Sequence, residues 1–77
     1  MSNVILEGEI VRSLKSENNV KFDVKVNDSI FHCEAWGNMC KYNFKSTNKI
    51  RLVGRLEKRK FEGGNVCFVV AEHIEFR

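Results

Sequence analysis

Apolar and polar residues alternate with a period of two through most of this chain, the signature of strands that bury one face and leave the other open. Val20, Phe22, Val24 and Val26 point one way, and Lys21, Asp23 and Lys25 the other, which predicts a strand over Val20–Val26. Asn27-Asp28-Ser29 is tight-turn chemistry, so this strand and the next, Ile30–Trp36, are expected to form an antiparallel hairpin. In the second strand Phe31, Cys33 and Ala35 suit a core. Ile30, His32, Glu34 and Trp36 are left facing outward, and two large apolar groups there call for a binding platform or a subunit interface. Asn3–Arg12 reads as an earlier strand, with Val4, Leu6, Gly8 and Ile10 on one face and Ile5, Glu7, Glu9 and Val11 on the other. Its mid-strand Gly8 suggests a bulge or a sharp bend. The polar stretch Ser13–Asn19 supplies the turn.

The alternation breaks over Gly37–Asn48, where Met39, Tyr42 and Phe44 recur at roughly helical spacing, and one or two turns of helix are expected. It resumes over Lys49–Phe61, KIRLVGRLEKRKF. Ile50, Leu52, Gly54 and Leu56 face the core there, and Lys49, Arg51, Val53, Arg55, Glu57, Arg59 and Phe61 face out. Glu62-Gly63-Gly64-Asn65 is a hairpin turn. A last strand, Val66–Phe76, blurs at Ala71-Glu72-His73, where a bulge would let Ile74 and Phe76 reach the core. The order β-β-β-α-β-β predicts an all-β, five-stranded OB-fold, a Greek-key barrel with a short helix between strands three and four. Residues 1–77 are expected to form a single domain.

Composition adds limits. With 77 residues, the chain buries only about 60% of its unfolded surface, so its core is marginal unless a partner subunit shares it. An apolar share of 43% and a charged share of 30% are ordinary for a soluble domain. No apolar run approaches the roughly 20 residues of a membrane span. The N-terminus lacks the basic start and apolar core of a signal peptide, so a cytoplasmic location is expected and no membrane partner. Three cysteines cannot all pair within one chain. Cys33 and Cys67 lie in apolar strands and read as buried, reduced thiols.

The formal charge of +3 is modest, but its distribution is not uniform. Six of the 13 Lys and Arg residues fall between Lys49 and Phe61. A basic strand that ends in an aromatic ring suits a single-stranded nucleic acid, cations meeting phosphates and the ring stacking on a base. The candidates are Phe61 for stacking and Arg51, Arg55, Lys58, Arg59 and Lys60 for phosphates. Lys21 and Lys25, on the outer face of the second strand, would extend that track, and His32 would add a polar contact. Nothing points to catalysis. There are no paired carboxylates and no nucleophile elbow, and Gly63-Gly64 opens no helix as a phosphate loop must. His32 and Cys33 are adjacent in a strand and point to opposite faces, so no metal and no other cofactor is expected.

Four stretches in order resemble the bacterial single-stranded DNA-binding proteins. NVILEGEIVR is similar to their first strand and FHCEAWGNM to the third, with its aromatic-glycine end. KIRLVGRLEKRKF is similar to the fourth strand and AEHIEF to the last. HCEAW and AEHIEF are also similar to a smaller relative, primosomal replication protein N. The resemblance covers Asn3 to Phe76 and implies sequence-tolerant binding of single-stranded DNA during replication, recombination or repair. By position it makes Trp36 and Phe61 stacking residues and puts Arg55 and Arg59 on the basic side of the same face. Ile30 falls where larger members often carry an aromatic, and Glu57 where a cation is common. It further implies a homodimer or homotetramer assembled partly through strand one, where Ile5 and Val11 face out. The larger members continue into a flexible, acidic-tipped tail that recruits replication or recombination enzymes, whereas this sequence stops at Arg77. Either recruitment does not use such a tail, or the tail has been removed. Two alternatives stand beside this reading: a primosome-type accessory that binds strands weakly and works through protein partners, and a pure protein-interaction module. Stacking and phosphate contacts are common to RNA, which stays open beside DNA.

Overall fold

The computed structural model describes residues 3–77 as one closed five-stranded barrel. The strands are β1 (Asn3–Lys15), β2 (Asn19–Val26), β3 (Ser29–Trp36), β4 (Lys49–Phe61) and β5 (Gly64–Phe76), in the spatial order β1-β2-β3-β5-β4. β1 serves both ends of the sheet. Asn3 to Glu9 pair with β4, and Glu9 to Lys15 with β2. A short parallel contact, Cys33 with Val69 and Glu34 with Val70, joins β3 to β5. This is the OB-fold that the alternation predicts.

The core is the inward set of every strand. Leu6, Ile10, Val20, Phe22, Val24, Cys33, Ala35, Ile50, Leu52, Val69, Ala71 and Ile74 are buried together. Burial, and secondarily the negative charge of Asp23, push the Cys33 thiol up to about 12, so it stays protonated and inert. Cys67, expected to be buried, is exposed, and all three thiols are unpaired. Between β3 and β4 the helix is a single 3-10 turn, Gly37–Lys41, which itself buries no residue fully. The chain leaves β3 through Gly37 at φ 67°, a backbone region that costs glycine little. The barrel end is closed by Phe44 from the following loop, its ring 4.7 Å from that of Phe22.

Three local expectations need correction. Gly8 is not a bulge. A Cβ there would collide with the Lys25 carbonyl, so the glycine allows β2 to cross β1 closely, and the irregularity falls between Ile10 and Arg12. The bulge expected in β5 does occur, with Glu72 skipped between Ala71 and His73. It brings Ile74 into the core but leaves Phe76 exposed. Leu56 shares the parity of Ile50 and Leu52 yet is 52% exposed. The pairing of β4 with β1 ends at Arg55 among the described residues, so beyond it β4 is paired with β5 alone, and the hairpin packs one face, through Arg59 and Phe68, over β2 and β3.

Candidate nucleic-acid interface

The outer face of β2, β3, β5 and β4 is built around a buried carboxylate. Cys33 and Ala35 point into the core, so Glu34 points out, yet it is fully buried. Arg59 covers it, donating from Nη1 to Oε2 at 2.5 Å and from Nη2 to Oε1 at 2.7 Å. The Trp36 indole Nε1–H donates to the same Oε1 at 2.9 Å. Such a forked guanidinium–carboxylate pair is charge-assisted and fixed in direction. Hydrogen bonding from Arg59 holds the Glu34 carboxyl below the usual range, against the effect of burial and with help from the Trp36 N–H. Arg59 is pinned from a second side by Glu57, whose Oε1 accepts from Nε at 2.8 Å. Alternation along β4 marks Arg59 as a phosphate contact; in the fold its guanidinium is paired with two carboxylates, Glu34 and Glu57.

Phe68 lies at the centre of this face. The Arg59 guanidinium carbon is 4.7 Å from its ring centroid and Lys21 Nζ is 5.9 Å away. The rings of His32 and Phe61 lie at 6.2 and 6.3 Å. The alternation misses Phe68 because it leaves the faces of β5 unassigned. Counting back from the hairpin turn puts it opposite Glu57, on the face of Arg59 and Phe61. Trp36 and Phe61 are 45% and 48% exposed, so two rings remain open to solvent on this face.

The other candidates are distributed more widely. Arg55 lines a shallow concavity with Trp36, Glu57 and Arg59, and it pairs with Glu72 at 3.4 Å. His32 is tied to Asp23 at 2.7 Å. Ile30 is exposed beside Lys25, its neighbour in register, but Lys25 lines a different groove with Glu7 and Glu9. Arg51 pairs with Glu7 at 3.4 Å. It lies about 26 Å along β4 from Arg59 at the usual rise per residue. Lys58 and Lys60 alternate with Arg59 and Phe61 and so occupy the opposite face of the hairpin, alongside Leu56 and Cys67. Among the described residues no group of three His, Cys, Asp or Glu side chains converges as a metal site would.

The charges divide by residue type. All five arginines, Arg12, Arg51, Arg55, Arg59 and Arg77, are ion-paired with carboxylates. No lysine is, so among the described residues the side-chain cations without a carboxylate partner are all lysines.

Solved structures share this barrel. One chain of a replication protein A heterotrimer bound to ssDNA superposes with a TM-score of 0.75 at 12% identity, over 100% of this chain and 58% of that one. The mitochondrial single-stranded DNA-binding protein Rim1 of S. cerevisiae superposes in two crystal forms with TM-scores of 0.72 and 0.73, at 9% and 10% identity. Each match covers 97% of this chain and 91% of Rim1. The fold is that of single-stranded DNA-binding proteins. The chain spans 58% of the replication protein A chain that it matches. No family model matches the sequence, and no curated protein matches it significantly.

Proposed function

We propose that this chain is a sequence-tolerant single-stranded DNA-binding module that holds exposed strands during replication, recombination or repair. The observation that carries the reading is a pair of open rings on a face fixed by the buried Glu34–Arg59 pair: Trp36, which donates to Glu34, and Phe61, which lies beside Phe68. Rings held in place stack on bases of any sequence without paying to be ordered. Phosphate contact falls to lysine, with Lys21 5.9 Å from the Phe68 ring. The likeness to replication protein A and Rim1 supports the same reading at the level of fold.

Titration with oligo-dT at two salt concentrations, followed by Trp36 emission, tests it. Quenching is expected, with log affinity falling by about 0.7 per neutralised phosphate for each unit of log salt. Phe61→Ala should cost about 1–3 kcal/mol of binding on every sequence alike. If neither binding nor quenching is found at low salt, the proposal is lost.

The neutralised arginines favour a second reading, a primosome-type accessory with weak strand affinity and protein partners. Pull-down with a helicase, measured beside DNA affinity, separates the two. Self-association is part of the proposal: Ile5, Val11 and Leu14 are exposed on β1. Light scattering is expected to return a dimer, and a 9.0 kDa species would remove that part.

A further inference from the structure

A second concavity lies at the end of the barrel that Phe44 closes, lined by Ser13, Lys15, Val20, Tyr42, Asn43 and Lys45 among others. No acidic side chain lines it. This sets it apart from the groove containing Glu7 and Glu9 and from the concavity containing Glu57. Both of its lysines are among those without an ion-pair partner. Its aromatic ring is oriented: Tyr42 meets Phe76 edge-on at 5.7 Å and Phe44 at 6.5 Å, and it remains 43% exposed.

The loop that carries Tyr42 and Lys45 is tied down. Ser13 Oγ donates to the Phe44 carbonyl at 2.9 Å, and Asn48 Nδ2 donates to the Asn43 carbonyl at 3.0 Å. The Thr47 N–H donates to the Ile10 carbonyl and the Ile10 N–H to the Asn48 carbonyl. A ligand would therefore meet a preformed surface.

The concavity lies around the barrel rim from Trp36, because Lys15 shares the face of the core residue Val20 and Trp36 has the opposite one. Trp36 is paired in register with Asn19, and Lys15 with the next residue, Val20. Two strand spacings, about 10 Å, separate the two columns. A strand that leaves Trp36 and rounds the rim therefore meets this concavity next.

We infer that this concavity is a second contact site for single-stranded nucleic acid, which takes a base on Tyr42 and phosphates on Lys15 and Lys45 as the strand runs on past Trp36. The inference rests on the proposed function and lengthens its site. The cations and ring are the same chemistry as the first face, and the absence of a carboxylate leaves both lysines free to release counterions from phosphate.

Oligo-dT of two lengths tests it, about 4 and about 16 nucleotides, which span the range for one such barrel. Binding is read by anisotropy of an end-labelled probe. In the Lys15→Ser/Lys45→Ser variant the short probe should bind as it does to the wild type. The long probe should bind more weakly, with its salt slope reduced by about 1.4. Tyr42→Ala should lower long-probe affinity about tenfold, and its short-probe affinity reports whether the barrel has stayed intact. Unchanged long-probe affinity in both variants overturns the inference. So does an equal loss on both lengths, which would merge the concavity with the first face. If only the binding of an oligoglutamate probe falls, the surface serves an acidic peptide and the assignment is wrong. A wild-type protein that binds neither oligo-dT removes the underlying function itself, a result distinct from all of these.

Discussion

Replacing Arg59 by Met is expected to cost about 3–5 kcal/mol of stability at neutral pH, because it strands a buried carboxylate with one remaining donor, the Trp36 N–H. Acid should reveal the cause. In the wild type the folded Glu34 carboxyl lies below its ordinary value. Its contribution is therefore complete above the ordinary carboxylate range and is lost as pH falls through the lowered folded value. Without Arg59, burial dominates and the folded value moves above the unfolded one. The folded state then takes up a proton first, and stability is gained as pH falls through the raised value. Urea denaturation of the two proteins across the acid range should give a difference that narrows steadily toward low pH. A constant difference would mean that Glu34 is not the group left stranded. Adding Glu34→Gln to the Arg59 variant should recover much of the loss at neutral pH, since the uncompensated charge is gone.

Phe44→Ala should be nearly as damaging, at about 3–5 kcal/mol, although the residue belongs to a loop. Its ring is buried, stacks on Phe22 at 4.7 Å and stands 6.1 Å from Phe76, so truncation opens a cavity at the barrel end. For a chain of 77 residues with a total stability of about 4–12 kcal/mol, that loss is a large fraction. Thermal or urea unfolding reads it directly, and a loss under about 1 kcal/mol would show that the end collapses without the ring. Backbone amide exchange should rise over 42–48 in the same variant, because the loop loses the anchor that sets its position.

The two variants also mark where sequence reading succeeds and where it stops. β4 is legible from Lys49 to Phe61, and β2 nearly so, because a period of two is a local property. The closure of the five strands follows from their order. Leu56 reads as core because parity reports a face, not whether a neighbouring strand is still present to cover it. Lys58 and Lys60 flank Phe61 in the chain, but their parity is that of Leu56 and puts them behind it. The Glu34–Arg59 pair spans 25 positions and leaves no mark on either strand's alternation. Along its own strand Glu34 is one more solvated acid, and Arg59 one more free cation. Phe44 falls in a stretch with helical spacing, and only the tertiary structure shows it as the plug. Phe68 is recoverable, since the Gly63-Gly64 turn fixes its register with β4.

The division of cations by type separates two properties that commonly interfere in small basic proteins. Arg59 is part of the scaffold: two carboxylates hold it, and its Glu34 pair is shielded from salt by burial, whereas the other arginines make exposed pairs that salt screens. Lysine is the adjustable component, at the surface, screened by ions and within reach of acetylation. Under the proposed function, grip on a strand could thus be graded one amine at a time, by salt, by acylation or by design, while the buried Glu34–Arg59 pair stays as it was.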